Sequence, residues 1–387
     1  MKKYIMVTGG ELRNKGAQAM TFITVDQIAK KFPDYQVVLL DGYDYGDELQ
    51  RNLKFDIAKF PRIRYMLNCL KPWKNPFPQK LENAEILNNI AGFVDISGYR
   101  LGSNWPYHTV VSYIRSIFYA KHLGVPVYLM PQSFGPFDFK GKYKLLINFL
   151  LKRYLKYPKV IMARETEGYN WLREKYKLKN VVKTPDLVLQ NTGVDLANIY
   201  HKVPETFKLS VRENSVALIP NSKNNKFGNK EEIMILYKNI IDMLLKKGKC
   251  VYLLYHAKED LSICREIKEL YLENENVILV EQELGCIEYG DCVGKFDFII
   301  GSRYHSIVHA YKEYTPAIVF GWATKYRELA EMFEQQDYCF DVRNSMDTEN
   351  ILNKIEIMCN LFGEESQKIK KVMNDVQSSN VYDYLEF

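Results

Sequence analysis

The sequence predicts an α/β protein built from two doubly wound domains, each a mostly parallel sheet covered by helices on both faces. Short apolar runs alternate with amphipathic stretches along the chain, which is the pattern of such sheets. The alternation occurs twice, before and after a segment of weak periodicity at 190–212. With 387 residues the chain also exceeds what one ordinary hydrophobic core holds.

The elements follow in order along the chain. Apolar runs predict strands at 4–8, 36–40, 93–96, 126–130 and 160–163, and then at 216–219, 250–255, 277–280, 296–300 and 317–320. Amphipathic periodicity predicts helices between them, among others at 17–31, 107–123, 166–177, 231–247 and 260–273. We therefore expect a first domain at 1–195, a second at 205–347, and a strand-free helical segment at 348–387.

Composition places the protein among soluble globular chains, with 47% hydrophobic and 26% charged residues. No stretch approaches the ~20 apolar residues of a spanning helix, and the N-terminus does not resemble a signal peptide. The seven cysteines are scattered and form no C-x-x-C pair, so free thiols in a reducing compartment are expected. These features predict a cytoplasmic protein.

The net charge of +6 is concentrated in one segment, because residues 51–80 hold eight Lys or Arg and one acid, a local charge of +7. A second basic run without acids occupies 140–159. Basic charge mixed with aromatic and apolar residues suits peripheral contact with the inner, anionic face of a membrane, here through 51–80. A solvated helical face and a Pro-rich loop are the alternative. A nucleic-acid partner is not expected, since a dedicated binder usually has a more basic domain.

Polar residues that follow the predicted strands are the first place to seek a ligand site, because ligands of open α/β sheets bind beyond the carboxyl ends of the strands. Asn14 and Gly16 stand after the first strand, where a glycine permits close approach and a helix start offers free N–H groups to an anion. A tight turn without a ligand is the alternative. Arg100 follows the third strand, either lining a cleft between domains or lying on the surface.

Ser133 and Arg164 follow the fourth and fifth strands. The Ser133 hydroxyl is a candidate for hydrogen bonds to sugar hydroxyls, in what is otherwise a structural Gly/Pro turn. Arg164 stands at a predicted helix start, where a cation is unfavourable. That position indicates a nearby anionic ligand, or else pairing with Glu165 or Asp186.

The second half carries the strongest candidate site, at 296–326. Ser302 is the predicted N-cap of a helix, with Arg303 at its first and His305 at its third position. Arg303 offers paired donors to a phosphate or carboxylate, and His305 suits a general acid or base. Lys325 after the next strand adds a second cation, and His256 is a further candidate after an earlier strand.

A metal site is not expected in this half. His309 lies four residues after His305 and shares its helix face, but neither an H-E-x-x-H pattern nor a third ligand accompanies the pair. His309 is therefore interpreted as a packing residue or as one that supports a site residue.

Several of these residues fall in motifs, and together the motifs resemble those of the polysaccharide pyruvyltransferases. They run in family order across about 10–330: Gly10 with Asn14-Lys15-Gly16-Ala17, Ser133-Phe134-Gly135-Pro136-Phe137, Ala163-Arg164-Glu165, Thr184-Pro185-Asp186, Gly301-Ser302-Arg303-Tyr304-His305-Ser306, and Lys325. The chain departs from the family at Tyr304, where Leu is frequent, and at Ser97-Gly98-Tyr99, where a Gly-Gly pair is common. Both departures could reshape the acceptor pocket.

The resemblance implies a fold like GT-B glycosyltransferases, with two Rossmann-like domains and a cleft between them. It implies transfer of a pyruvyl group from phosphoenolpyruvate to a sugar of a capsule, exopolysaccharide or lipid-linked precursor, usually as a cyclic ketal. Phosphoenolpyruvate is then a donor substrate, and no cofactor is expected. A required metal is not evident, since the chain has no D-x-D sequence. Arg303, Arg164 and Lys325 become its cationic ligands, with Ser306 beside them, and His305 becomes the acid that protonates the methylene carbon.

The resemblance places the donor with the second domain and the acceptor with the first. Two alternatives remain open from the sequence. One is a GT-B glycosyltransferase that uses a nucleotide sugar, and the other is a non-enzymatic assembly protein with the same fold.

Overall fold

The computed structural model describes residues 2–59, 89–222, 224, 228–343 and 347–387. Most of the basic segment at 51–80, to which the sequence assigns a membrane contact, lies outside the described residues, and that contact stays a prediction. Within the described part of the chain, no helix combines the length and the apolar character needed to cross a membrane.

Contacts divide the chain into two compact units. The first unit comprises Met1–Leu12, Met20–Pro204 and Asn380–Phe387, and the second comprises Arg13–Ala19 and Glu205–Ser379. The predicted domains of 1–195 and 205–347 therefore differ from these units at both ends. The seven residues Arg13–Ala19 pack with the second unit, and the last eight residues pack with the first. The helical segment predicted at 348–387 is divided between the units, because its residues up to Ser379 belong to the second unit and Asn380–Phe387 belong to the first.

The first unit is built on a parallel sheet with the order β3-β2-β1-β4-β5-β6-β7 among the described residues. Its strands are β1 Lys3–Thr8, β2 Tyr35–Leu40, β3 Asp56–Ala58, β4 Ile90–Asp95, β5 Val127–Gln132, β6 Val160–Ala163 and β7 Val181–Lys183. The helices are α1 Lys15–Lys31, α2 Asp47–Asn52, α3 Tyr107–Leu123, α4 Lys144–Tyr154, α5 Thr166–Asn170 and α6 Leu187–Gln190. The first residues of α1 belong to the second unit.

The second unit repeats the architecture with a parallel sheet in the order β10-β9-β8-β11-β12-β13. Its described strands are β8 Ser215–Ile219, β9 Cys250–Leu253, β10 Val277–Leu279, β11 Phe298–Gly301, β12 Ala317–Gly321 and β13 Cys339–Asp341. The helices are α7 Lys230–Lys246, α8 Leu261–Glu269, α9 Cys286–Val293, α10 Tyr304–Lys312, α11 Thr324–Met332 and α12 Thr348–Val376.

Central strands of both sheets are apolar throughout because both faces are covered. Every residue of β5, β8 and β11 is buried, which explains why these strands read as continuous apolar runs rather than as alternating patterns. Each unit has its own cluster of buried aliphatic and aromatic side chains. The predicted α/β class with two doubly wound sheets is confirmed.

Three strands were not predicted, namely β3, β7 and β13. Each has only three residues and lies at the edge of its sheet, and Val181 is the one buried residue in these three strands. Such a strand has no run of apolar residues to reveal it. The helix predicted at 166–177 is also interrupted, because α5 ends at Asn170 and a π-helical turn continues over Trp171–Lys175.

Each sheet has one switch point, where the order of strands along the sheet changes direction. In the first sheet it lies between β1 and β4, and in the second between β8 and β11. Ligands of open α/β sheets bind outside the carboxyl ends of the strands at such a point. The loops after β1, β4, β8 and β11 are therefore the favoured ligand positions of this fold.

Candidate functional site

At the switch point of the second sheet, hydrogen bonds join the loops that follow β8 and β11. The Ser302 amide donates to the Ile219 carbonyl at 3.1 Å, and the Asn221 side chain donates to the Ser302 carbonyl at 2.7 Å. These bonds extend the pairing of β8 and β11 past the last strand residue, and they fix the backbone from which Arg303 and His305 project.

Helix α10 begins one residue later than predicted. Arg303 occupies the N-cap with extended backbone, at φ −102° and ψ 130°, so His305 is the second helical residue rather than the third. The predicted N-cap Ser302 is wrong because its amide still continues the strand pairing, while its hydroxyl lies 3.3 Å from the hydroxyl of Tyr237. Ser306 Oγ donates to the Arg303 carbonyl at 2.6 Å and thereby holds the first turn.

The Arg303 guanidinium is buried and already paired with acids. Its Nε and Nη2 donate to the two carboxylate oxygens of Asp260, at 2.8 and 2.6 Å, and Nη2 also reaches Glu259 at 2.9 Å. Burial opposes the charge, but the bonds to Asp260 outweigh it and raise the pKa of Arg303. Among the described residues Nη1 has no hydrogen-bond acceptor. An anionic ligand would therefore bind at Nη1 or replace Glu259, whose side chain is 58% exposed.

The turn at Asn14–Gly16 lies against His305, within the second unit. Asn14 Oδ1 accepts from the amides of Gly16 and Ala17, at 3.1 and 3.3 Å, and so caps the start of α1. A Cβ atom at Gly16 would lie 2.3 Å from Cγ of His305. Only glycine permits this approach, so the structure brings together two predicted site elements that are almost 300 residues apart in sequence.

Lys15, between these two residues, is a site candidate that sequence reasoning missed. The side chain is buried, and its Nζ donates to the His256 carbonyl at 3.2 Å. Nζ also lies 4.5 Å from the ring centroid of Tyr255 and 5.7 Å from that of Tyr289. Among the described residues no carboxylate lies within ion-pair distance. Burial lowers the pKa of Lys15 to about 8, although Glu283 and Asp260 oppose the shift.

A signal for Lys15 was present in the sequence. A lysine at the start of a helix is locally unfavourable, since the helix dipole already places positive charge there. That argument drew attention to Arg164 and applies equally to Lys15.

His256 sits beside this lysine, in the loop after β9. Its side chain is buried, and neither ring nitrogen has a hydrogen-bond partner among the described residues. The ring packs edge-on against Tyr289, with centroids 5.3 Å apart. Burial, reinforced by the charge of Lys15, holds the pKa of His256 well below its ordinary value. The ring is therefore neutral, and its buried nitrogens are available to a ligand or a water.

Lys325 lies in the first turn of α11 and packs on aromatic faces. Its Nζ is 5.0 Å from the ring centroid of Tyr304 and 5.6 Å from those of Trp322 and Tyr326. Tyr304, a departure from the motif noted in the sequence, thus contributes a cation–π contact that an aliphatic residue would lack.

Histidine 309 packs within the unit, 5.6 Å from the ring centroid of Tyr289. Among the described residues no group of three His, Cys, Asp or Glu side chains is placed to hold a metal ion. The geometry around His305 and His309 therefore provides no metal centre in this part of the chain.

In the first unit, Arg164 is the centre of a buried ion-pair network. Its Nη1 pairs with Asp186, and its Nη2 donates to the Gly98 carbonyl at 3.0 Å and to Ser133 Oγ at 2.7 Å. Ser133 in turn donates to Glu165 at 2.8 Å. These contacts favour the alternative in which pairing with acids accounts for the cation. The substrate-binding roles of Arg164 and Ser133 stay predictions.

At the switch point of the first sheet the structure reveals a buried carboxylate, Asp95 at the end of β4. It accepts hydrogen bonds from Thr8 Oγ1 at 2.6 Å, Gln132 Nε2 at 3.2 Å and the Ser97 amide at 3.1 Å. Burial raises the pKa of Asp95, and the charge of Arg100 acts in the opposite direction. Arg100 is half-buried in the following loop, and its predicted ligand role stays a prediction.

Comparison with known protein families matches residues 14–324 to polysaccharide pyruvyl transferase, most of the chain. The chain belongs to the polysaccharide pyruvyl transferase family. The matched region begins at Asn14 and ends one residue before Lys325. It contains all the site candidates described above except Lys325.

Solved structures with the same fold are distant in sequence. A glycosyltransferase from Rickettsia africae is 14% identical with a TM-score of 0.57, over 99% of this chain and 95% of that one. The UDP-GlcNAc 2-epimerase of Methanocaldococcus jannaschii is 15% identical with a TM-score of 0.56, over 97% of this chain and all of the epimerase. No curated protein sequence matches the chain significantly. The structural neighbours confirm the Rossmann-like, GT-B-like fold predicted from the sequence, and they show the fold alone.

Proposed function

We propose that this protein transfers a pyruvyl group from phosphoenolpyruvate to a sugar of a cell-surface polysaccharide, or of its lipid-linked precursor, and forms a pyruvate ketal. One observation supports this proposal above the others. Lys15, His256, Arg303 and His305 gather at the carboxyl edge of the second sheet, at its switch point. Family membership supplies the reaction class.

Lys15 is the group in this cluster best suited to the donor. A buried cation without an acid at ion-pair distance is costly, and a bound anion would reduce the cost. Phosphoenolpyruvate carries both a phosphate and a carboxylate, so it needs more than one cation. Arg303 through Nη1 and Lys325 beside Tyr304 are the other proposed contributors.

The proposed reaction adds one sugar hydroxyl to C2 of phosphoenolpyruvate, while His305 supplies a proton to the methylene carbon. A second hydroxyl then forms its bond to C2, the bond from C2 to the phosphate oxygen breaks, and phosphate leaves. The two hydroxyl protons balance the proton gained by carbon and the proton carried by phosphate. Lys15 and Arg303 would stabilise the phosphate as it departs, as fixed cations do for developing negative charge.

The acceptor is assigned to the first unit, where Arg100 and Ser133 follow β4 and β5. Arg164 is proposed to position this region through its bonds to Gly98 and Ser133. We further propose a cytoplasmic location, which scattered thiols without a disulfide pattern favour.

The test is incubation of the purified protein with phosphoenolpyruvate and a panel of sugar and lipid-linked sugar acceptors. Phosphate release that requires an acceptor, together with a pyruvylated product in mass spectrometry, is the expected result. His305→Asn is the matched control, because it should bind phosphoenolpyruvate without releasing phosphate. If no acceptor supports release and phosphoenolpyruvate gives no thermal stabilisation, the proposal is wrong.

Thermal stabilisation also distinguishes the proposed pyruvyl transfer from the alternative in which the protein uses a nucleotide sugar. A glycosyltransferase of this fold should be stabilised by UDP or GDP sugars and not by phosphoenolpyruvate. Stabilisation by phosphoenolpyruvate alone, lost in Lys15→Met, would favour the pyruvyl donor.

A further inference from the structure

Helix α4 of the first unit exposes large apolar side chains to solvent. Leu145 is 82% exposed, Phe149 61% and Leu146 53%, while Ile147 and Leu151 on the opposite face are buried in the core. Twelve large hydrophobic residues are exposed among the described residues, and five of them belong to α4 or its immediate surroundings. Isolated exposed leucines need no explanation, but a cluster of this kind indicates an interaction surface.

The chain segment that carries these apolar residues has charges of a single sign. From residue 139 to residue 164 the sequence contains no acid. Lys152 and Arg153 are exposed and follow Leu145 and Phe149 at helical spacing, so they lie on the same side of the helix. Lys156, two residues past the end of α4, is exposed as well. We refer to these three cations together with Leu145, Leu146 and Phe149 as the α4 face.

Aromatic residues border the α4 face. Tyr143 and Tyr107 are 43% and 36% exposed, and their rings meet edge-on with centroids 5.2 Å apart. Tyr107 also lines a hollow of about 700 Å³, together with Trp105, His108, Asp138 and Lys140. Tyrosine and tryptophan are the residues preferred at a membrane–water interface, where one end of the ring is apolar and the other is hydrated.

We propose that the α4 face docks the protein onto an anionic lipid surface. The apolar side chains would enter the boundary between headgroups and acyl chains, and the cations would contact lipid phosphates. The segment from residue 139 to residue 164 carries cations and no acid, which makes it complementary to phosphate headgroups, and it would repel the same segment of a second copy. The proposal concerns residues outside 51–80 and does not depend on the pyruvyl transfer.

The test is co-sedimentation of the full chain with vesicles of phosphatidylglycerol and phosphatidylcholine, compared with vesicles of phosphatidylcholine alone. We expect binding to the anionic vesicles that weakens as salt is added, because salt screens exposed charges. Replacing Leu145, Leu146 and Phe149 together by Ser should weaken binding by at least about tenfold, since each side chain would lose apolar burial. Replacing Lys152, Arg153 and Lys156 by Gln should weaken it by about a hundredfold, at about fivefold for each cation.

The matched control is Leu270→Ser with Leu272→Ser in the second unit. These leucines are 55% and 68% exposed but stand among acids such as Glu269 and Glu273. The control variant should bind anionic vesicles like the wild type. Circular dichroism and thermal unfolding of every variant separate a lost surface from a lost fold. Phe149→Trp gives an independent readout, because brominated lipids should quench the added fluorophore.

Three results would overturn the proposal. The first is a wild-type chain that does not bind anionic vesicles. The second is vesicle binding that survives both α4 variants, which would place the contact elsewhere, for example in 51–80. The third is a concentration-dependent dimer in sedimentation velocity that the α4 variants dissociate, with vesicle binding unchanged, since the face would then pair with a second copy.

Discussion

Substitution of Gly16 by Ala tests the contact on which the placement of His305 depends. The added Cβ would lie 2.3 Å from Cγ, 2.5 Å from Nδ1 and 2.6 Å from Cβ of His305. Carbon atoms in ordinary contact are about 3.5 Å apart or more, so the ring or the helix start must move by about 1 Å. A displacement of this size can cost a catalytic group about a hundredfold in rate. We therefore expect phosphate release to fall about a hundredfold.

The same substitution should change stability much less. Overpacking costs about 1–3 kcal/mol, and alanine recovers up to about 1 kcal/mol relative to glycine within a helix. The free energy of unfolding should therefore fall by no more than about 3 kcal/mol, as measured by urea denaturation. Gly363 is the matched control, because it lies within α12 and an added Cβ there meets no atom within 4 Å. Gly363→Ala should retain full activity. Wild-type turnover in Gly16→Ala would refute the reasoning.

Three further changes probe the same site. Lys15→Met should weaken binding of phosphoenolpyruvate at pH 7 by at least about tenfold in calorimetry. Wild-type binding should weaken further as the pH rises above the Lys15 pKa of about 8, whereas binding by Lys15→Met should not change with pH in that range. Because that pKa lies below the unfolded value of 10.5, the unfolded chain binds the proton more tightly than the folded chain. The free energy of unfolding of the wild type should therefore rise by about 3 kcal/mol between about pH 8 and 10.5. An equal rise in the wild type and in Lys15→Met would contradict this. Arg303→Ala should lower the free energy of unfolding by about 3–5 kcal/mol in urea denaturation, because Asp260 would lose its ion-pair partner, whereas Glu259→Ala should lower it by less than about 1 kcal/mol. Similar losses in the two variants would contradict the ion-pair assignment. His305→Ala should abolish turnover while binding of phosphoenolpyruvate persists, and measurable turnover would remove His305 from its proposed role.

The alternation of strands and helices could be predicted because each element shows its own local spacing of apolar residues. Runs such as 296–300 and 317–320 are apolar throughout, since helices cover both faces of the sheet. The three-residue edge strands β3, β7 and β13 were not predicted because they bury too little surface to require a run of apolar residues. Position at a strand end was enough to select Arg303, His305 and His256.

What those residues contact could not be predicted, because each contact depends on a distant part of the chain. Arg303 pairs with Asp260, which is 43 residues away, and Lys15 donates to His256, which is 241 residues away. The charge of Arg303 was therefore visible in the sequence, but its neutralising partner was not. Lys15 was overlooked because a lysine is usually solvated, and only the fold shows that this one is buried.

The second unit is assembled from two pieces of chain, Arg13–Ala19 and Glu205–Ser379. A fragment that starts at Glu205 would contain His305 and Arg303 but would lack the glycine that lies against the histidine and the lysine beside His256. Expression of that half alone should therefore not yield a functional donor site. Adding a peptide of Arg13–Ala19 in trans, or fusing it to Glu205 through a linker, would be the minimal way to reconstitute the unit.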